Sequence, residues 1–202
     1  MKKLSSQYWE KHWKDQQTGW DIGHASPPLV RYINLLEDKE MRILIPGAGS
    51  AYEAIYLHQK GFKNVYVCDW APSAFTHLKA VRPDFPQDHM IVGDFFKQEI
   101  QIDLLLEQTF FCANHPDKRA DYVEQVAKMI KPSGKLAGLM FGVNFDFPGP
   151  PFGGQKEDYI RLFDPYFDIL QMDIEKESID PRAGNELFVE MRRNGEIINS
   201  DF

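Results

Sequence analysis

A glycine-rich turn and an acidic residue in the first half of the chain have the spacing needed to hold a nucleoside. The turn, Pro46-Gly47-Ala48-Gly49, follows an apolar run, and Asp69 ends the next apolar run, 22 residues after Gly47. Glycine lets a backbone approach a ligand closely, and a carboxylate at the end of the following strand accepts ribose hydroxyls. Such charge-assisted hydrogen bonds contribute roughly 1.5–3 kcal/mol each. The spacing therefore predicts a nucleoside cofactor.

The residues after this turn distinguish between cofactors. A dinucleotide fingerprint has a third glycine, where this chain has Ala51 two residues after Gly49, followed by Tyr52. The pyrophosphate of NAD needs close approach to the helix N-terminus at this point. S-adenosylmethionine has no phosphate, so this loop suits it better.

A second acid follows the third apolar run, in Gly93-Asp94-Phe95-Phe96. In folds of this kind the loop lies beside an adenine ring, where Asp94 would accept the exocyclic amine and Phe95 would pack on the ring face. The alternative is that Asp94 caps a short helical turn while Phe95 belongs to the core.

Three tryptophans near the N-terminus, Trp9, Trp13 and Trp20, are separated by four and seven residues. The first two lie on one face of a predicted helix. They either bury their rings against the sheet or cover the cofactor, because aromatic faces attract a cation such as a sulfonium. The fourth tryptophan, Trp70, directly follows the predicted ribose acid.

Other residue types give no sign of a nucleophile or a metal site. Cys68 and Cys112 do not form a CxxC pair, and no histidine occurs in an HExxH motif. Cys112 is predicted to be a buried, inert thiol. His24 and His115 lie in segments expected near the pocket and are the candidate catalytic residues, although a thiolate or halide acceptor needs no general base.

The elements that position these residues alternate between strand and helix, which predicts a parallel sheet with helices on both faces. The last two strands have no helix between them and are predicted to form a terminal antiparallel hairpin. The predicted strands are 41–47, 64–69, 89–94, 102–111, 134–142, 167–174 and 185–193, and the helices are 5–14, 27–36, 50–61, 72–81, 116–130 and 157–166. This seven-stranded, Rossmann-like order is that of the class I methyltransferases.

Composition supports one globular domain of 202 residues, of which 43% are hydrophobic. We predict a helical lid over 1–38, a sheet core over 39–193 and a flexible tail over 194–202. A net charge of −7 disfavours nucleic acid and anionic membranes as partners. Without an apolar run of about 20 residues or a secretory signal, the expected location is the cytoplasm.

Several motifs, in this order, resemble those of the thiopurine S-methyltransferase family. They are WEKHWKDQQTGWDIGHASPPLV, LIPGAGSAYE, GDFF, EQTFFCANHP and PGPPF, and the resemblance extends from Tyr8 to Arg192. The chain is most similar to the branch that contains plant halide and thiol methyltransferases. It departs from that branch at Gln108, where the plant enzymes have an aromatic residue, and at His24, where they have arginine. The vertebrate thiopurine-binding arginine has no counterpart in Glu107-Gln108-Thr109.

The resemblance implies S-adenosylmethionine as cofactor, S-adenosylhomocysteine as its product and a small-molecule methyl acceptor. With the patterns above, it assigns cofactor binding to Trp9, Trp13, Trp20, Gly47, Gly49, Asp69, Trp70, Asp94, Phe95 and Gln108. No metal is expected. The acceptor pocket is predicted to be apolar and lined by Phe110, Phe111, Phe141 and Phe152, which suits a soft nucleophile such as a thiol, sulfide or halide.

We therefore predict a methyltransferase that acts on a small soft nucleophile by in-line displacement, as a monomer or weak homodimer. Two alternatives remain open at this stage. One is a nicotinamide-dependent oxidoreductase on a Rossmann-like sheet, and the other is a non-catalytic binding module with a methyltransferase fold.

Overall fold

The computed structural model describes residues 4–195. In this part of the chain the elements are α1 (Ser6–Lys14), α2 (Pro27–Asn34), β1 (Ile43–Pro46), α3 (Tyr52–Gln59), β2 (Val65–Asp69), α4 (Thr76–Val81), β3 (Met90–Val92), β4 (Ile102–Gln108), α5 (Phe110–Ala113), α6 (Arg119–Met129), β5 (Ile130–Phe141), α7 (Lys156–Phe163), β6 (Phe167–Ile174) and β7 (Glu186–Arg193). Short 3₁₀ turns include Pro72–Phe75, Phe95–Lys97 and Pro116–Lys118.

The seven strands form one sheet in the order β3-β2-β1-β4-β5-β7-β6. Strands β1 to β5 pair in parallel, whereas β7 is antiparallel to both β5 and β6. The predicted parallel sheet with a terminal antiparallel pair is confirmed. Because the chain order reverses between β1 and β4, the carboxyl ends of these strands flank the crevice where ligands bind in open α/β sheets.

Apolar side chains fill both faces of the sheet. One core cluster joins β4 and β5 to α6, α7 and the terminal strands, and the other joins β1 and β2 to α2 and α3. In α2, Leu29 and Ile33 are almost completely buried in this second cluster. Since α2 packs as core, we restrict the lid prediction to the chain before it, and the lid remains a prediction.

Helix α1 lies on the outside of the sheet's carboxyl edge. Ser5 caps it by accepting the Tyr8 N–H at 3.3 Å, and the helix has no buried residue. Glu10 holds it on the turn after β2, where its carboxylate accepts the Ser73 Oγ–H at 2.7 Å and the Ser73 N–H at 3.1 Å. A polar contact, rather than a buried apolar face, therefore attaches this helix.

Two predicted strands end earlier than expected. The strand predicted over 102–111 stops at Gln108, because Thr109 takes a left-handed φ of +58° and the Glu107 carboxylate accepts the Phe111 N–H, which starts α5. The strand predicted over 89–94 is β3, and Asp94 caps the following turn through the Phe96 N–H at 3.0 Å. Of the predicted tail over 194–202, residues 196–202 lie outside the described residues.

Candidate active site

A cavity of about 1450 Å³ lies at the carboxyl ends of the parallel strands and under the N-terminal segment. All but one of the predicted site residues line it: Trp9, Trp13, Trp20, His24, Gly47, Gly49, Asp69, Trp70, Asp94, Phe95, Gln108, Phe110, His115, Phe141 and Phe152. The topology explains this grouping, since residues that end parallel strands meet at one edge of the sheet.

The glycines of the first turn are required by their aromatic neighbours. Gly47 and Gly49 have φ values of +55° and +53°, and a Cβ at Gly47 would lie 2.2 Å from Phe110 Cδ2. A Cβ at Gly49 would lie 3.3 Å from Trp13 Cζ2. Ala51 also takes a left-handed conformation, with φ of +58°. The turn is therefore a tight cradle between rings from α5 and α1.

Asp69 ties this turn to the end of β2. One carboxylate oxygen accepts the Gly49 N–H at 3.1 Å, and the other accepts the Ala71 N–H at 2.9 Å. Burial raises the pKa of Asp69, and the backbone N–H groups that bind the carboxylate oppose this shift. A carboxylate has about four acceptor sites. After these two bonds it retains lone pairs for a ligand with two hydroxyls.

Gln108 provides an unsatisfied acceptor at the end of β4. Its Oε1 is buried and has no hydrogen-bond partner among the residues described. A buried acceptor without a partner costs about 1–3 kcal/mol, and a ligand donor would remove that cost. An unpaired acceptor at this position suits a ligand that carries a hydrogen-bond donor.

Asp94 and Phe95 follow the end of β3, an edge strand of the sheet. Asp94 caps the turn that begins at Phe95, and the Phe95 ring is only 3% exposed and packs against Phe110 at a centroid distance of 5.2 Å. Asp94 therefore caps a short turn and Phe95 packs in the core, as the alternative interpretation of the sequence described. Both also line the cavity.

The three N-terminal tryptophans form one aromatic group. Trp20 packs edge-to-face with Trp9 at 5.3 Å and with Trp13 at 5.9 Å between ring centroids. The Trp20 carbonyl accepts a hydrogen bond from Arg182 at 2.9 Å, and Trp20 is 36% exposed. The group closes one side of the cavity without being part of the core.

Three of the four predicted acceptor-pocket residues, Phe110, Phe141 and Phe152, form an aromatic wall of the cavity. The prediction for Phe111 was wrong: it is fully buried and packs against Tyr122, Tyr159 and Phe163. Successive residues of a helix point about 100° apart. In α5, Phe110 therefore faces the cavity and Phe111 faces the core.

Cys112 fixes two residues of this aromatic wall. Its carbonyl accepts the Phe152 N–H at 2.6 Å, and its Sγ accepts the Phe141 N–H at 3.3 Å. Burial raises the pKa of the Cys112 thiol to about 12, and the thiol is buried as predicted. Arg119 holds the same wall by donating to the Gly153 carbonyl at 2.8 Å.

Sequence reasoning missed a polar group beside the tryptophans. Glu53 is buried and accepts the Ser26 N–H at 2.8 Å, and Asp21 accepts a hydrogen bond from Ser50. Asp21 and Glu53 line the cavity together with Arg182. Asp21 belongs to the GWDIG motif, which was a usable signal. Arg182 had none, because it reaches the site from the connection before β7.

Among residues 4–195, no cluster of three or more His, Cys, Asp or Glu side chains is arranged to hold a metal ion. In the same described range, no helix is both long and apolar enough to cross a membrane.

Comparisons with known proteins agree over most of the chain. The family model described as thiopurine S-methyltransferase matches residues 4–194. A probable thiol methyltransferase 2 of Arabidopsis thaliana is 28% identical over 192 residues, covering 92% of this chain and 84% of the relative. A thiopurine S-methyltransferase of Photobacterium profundum is 24% identical over 204 residues, covering 91% and 94%.

Solved structures share the fold at low sequence identity. The 1,6-didemethyltoxoflavin-N1-methyltransferase of Burkholderia thailandensis, with bound S-adenosylhomocysteine, has a TM-score of 0.72 and 16% identity and covers 94% of this chain and 87% of its own. Magnesium protoporphyrin IX methyltransferase from Synechocystis, also with bound S-adenosylhomocysteine, has a TM-score of 0.72 and 12% identity, covering 94% and 99%.

Proposed function

The chain belongs to the thiopurine S-methyltransferase family, and on that premise we propose that it methylates a small, soft sulfur nucleophile. It is an S-adenosylmethionine-dependent methyltransferase with a class I fold. The cofactor supplies an electrophilic methyl group on a sulfonium. The chain's own residues must bind the nucleoside, surround the sulfonium and hold the acceptor sulfur in line with the methyl group.

The nucleoside is proposed to lie along the ends of β1 to β4. Asp69 accepts the two ribose hydroxyls, and Asp94 accepts the exocyclic amine of the adenine, with Phe95 at the ring. The Gln108 Oε1 accepts an N–H from the ligand. Its missing partner in the protein supports this role.

The arrangement of the tryptophans carries the proposal. Three rings packed edge-to-face close the side of the cavity beside the glycine turn, and Trp13 lies directly over Gly49. Aromatic faces attract a desolvated cation by up to about 2 kcal/mol. An aromatic wall next to a ribose-binding carboxylate suits a nucleoside that carries a sulfonium.

The acceptor is proposed to bind against Phe110, Phe141 and Phe152. These rings favour a polarisable nucleophile over a hydrated one such as an alcohol or a carboxylate. The Arg182 guanidinium lies 5.9 Å from the centroid of the Phe141 ring and is paired with the Glu186 carboxylate at 3.2 Å.

Ligand-induced stabilisation tests the cofactor part of the proposal. At 100 times its Kd, S-adenosylhomocysteine should stabilise the fold by about 2.7 kcal/mol, which raises Tm by roughly 5–10 °C in a chain of this size. NAD at the same concentration should leave Tm unchanged. A shift with NAD alone would favour the oxidoreductase and contradict the proposal.

Methyl transfer tests the acceptor part. With labelled cofactor, small alkyl thiols should be methylated and the matching alcohols should not. Transfer to the alcohols at equal rates would contradict the soft-nucleophile proposal. Cofactor binding without transfer to any acceptor of a panel of thiols, sulfide and halides would favour the non-catalytic module.

The remaining parts of the proposal concern the setting of the enzyme. We propose a small-molecule partner only, a monomer or weak homodimer, and a cytoplasmic location. The acidic net charge of −7 supports the absence of a nucleic-acid partner, and two buried, unpaired cysteines suit a reducing compartment.

A further inference from the structure

His24 lines the cavity in the segment that follows Trp20. Its Nδ1 lies 2.8 Å from the Ala25 carbonyl oxygen. A carbonyl only accepts, so Nδ1 of the neutral ring carries the proton and Nε2 retains a free lone pair. This tautomer, assigned from the hydrogen-bond partner, makes Nε2 a proton acceptor.

Two charged groups hold the segment that carries His24. Glu53 of α3 accepts the Ser26 N–H at 2.8 Å, two residues after His24. Arg182 approaches from the connection before β7, donates to the Trp20 carbonyl and lies over the Phe141 ring. The segment that carries His24 is therefore held at one end by Arg182, which also contacts the Phe141 ring, and at the other end by Glu53.

The other candidate histidine has the opposite arrangement. His115 Nδ1 accepts the Asp117 N–H at 3.3 Å and caps the turn that precedes α6. An accepting Nδ1 places the proton of the neutral ring on Nε2, which is then a donor. The Asp117 carboxylate also lies 3.2 Å from the same nitrogen.

We propose that His24 is a catalytic residue that takes the proton from a protic thiol during methyl transfer. This inference rests on the proposed function and narrows its substrate class to thiols that are protonated at neutral pH. The S–H proton moves to His24 Nε2 and the new sulfur–methyl bond forms. The methyl–sulfonium bond breaks, and its electron pair stays on the leaving sulfur.

The position of His24 suits proton release as well as proton uptake. Its side chain is exposed at the rim of the cavity, so the imidazolium returns its proton to water after the product leaves. An acceptor that is already an anion, such as iodide, has no proton to lose and does not need this residue. Comparing a thiol with iodide therefore separates an effect of His24 on proton transfer from an effect on binding.

The test compares the wild type with His24→Asn, because the asparagine amide keeps a donor for the Ala25 carbonyl but accepts no proton. A thiol with pKa near 8.5 is about 1% ionised at pH 6.5 and about 90% ionised at pH 9.5. For such a thiol, kcat/KM of the variant should fall by at least tenfold at pH 6.5 and by less than about twofold at pH 9.5. Iodide methylation should be unchanged at both pH values.

His89→Asn is the matched control, because the His89 Nδ1 also bonds a backbone carbonyl, that of Val65 at 3.1 Å, outside the cavity. This variant should match the wild type with both acceptors. Equal Tm values and equal Kd values for S-adenosylhomocysteine in all variants would show that the fold is intact. His24→Gln serves as a second variant if His24→Asn lowers Tm.

Three results would overturn the assignment. A loss for His24→Asn that is equal with thiol and iodide, or independent of pH, would show a positioning or structural role. The same pH-dependent loss in His115→Asn but not in His24→Asn would make His115 the base. If the wild type binds the cofactor but methylates neither acceptor, the proposed function is overturned as well. If the wild type methylates the acceptors and His24→Asn has the same pH dependence of kcat/KM, only the role of His24 is overturned.

Discussion

Replacing Glu107 with glutamine is expected to change how the free energy of unfolding depends on pH. The Glu107 side chain is completely buried at the end of β4. Its Oε1 accepts the Phe111 N–H at 2.8 Å, and its Oε2 accepts the Tyr122 hydroxyl at 2.7 Å. Burial raises the pKa of Glu107 from 4.5 to about 7, although these hydrogen bonds oppose the shift.

The direction of the effect follows from proton binding in the two states. Between pH 4.5 and about 7 the folded protein keeps the proton of Glu107, whereas the unfolded chain has lost it. The free energy of unfolding therefore decreases as pH rises through this window. Above about pH 7, Glu107 makes no further pH-dependent contribution to it. A difference of about 2.5 pH units corresponds to about 3 kcal/mol.

Urea unfolding followed by tryptophan fluorescence measures this dependence at pH 4.5, 6 and 7.5. Other buried carboxyls, including Glu53 and Asp69, also have raised pKa values, so the wild type alone does not isolate Glu107. Glu107→Gln keeps an amide of similar shape at the same contacts. Between pH 4.5 and 7.5 the free energy of unfolding of this variant should fall by about 3 kcal/mol less than that of the wild type.

Glu37→Gln, at an exposed position outside the regular elements, is the control and should follow the wild-type curve. Parallel stability curves for the wild type and Glu107→Gln would refute the reasoning. They would mean that Glu107 is ionised in the folded protein over the whole pH range. A steeper decline in the variant would refute it equally.

Three further predictions concern the cavity. Asp69→Asn should raise the Kd for S-adenosylhomocysteine by tenfold or more, because it removes the charge from the ribose acceptor, and an unchanged value in calorimetry would contradict that role. Gly47→Ala should lower Tm by several degrees, because its Cβ would lie 2.2 Å from a Phe110 ring atom at a φ of +55°, and an unchanged Tm in thermal unfolding would contradict the cradle. Phe152→Ala should raise the acceptor KM about tenfold with little change in cofactor Kd. Phe147 lies in the same loop, is half-exposed and does not line the cavity, so Phe147→Ala should change neither quantity. Equal effects of the last two substitutions would contradict the acceptor wall.

The sheet was predictable because its signals are local. Apolar runs that end in turn residues indicate strands, and helical runs between them require parallel crossovers. Parallel strands bring their carboxyl ends to one edge, so the glycine turn and Asp69 could be placed in one site without coordinates. The motifs around the tryptophans then indicated the family.

The boundaries at the site were less predictable, because side chains decide them. The run IDLLLEQTFF is apolar for most of its length, and periodicity does not show where strand becomes helix. The Glu107 carboxylate ends the strand by accepting the Phe111 N–H at the start of α5. In α5, Phe110 then faces the cavity and Phe111 the core.

The sequence by itself determined the order of the elements, the edge of the sheet that holds the site, and the glycine turn and Asp69 at that edge. Only the tertiary structure decided which residues complete the site from elsewhere. Arg182 joins Trp20 across 162 positions, and Glu53 joins Ser26 across 27 positions. Such contacts depend on the packing of distant segments and on hydrogen-bond direction, neither of which is encoded in local composition or spacing.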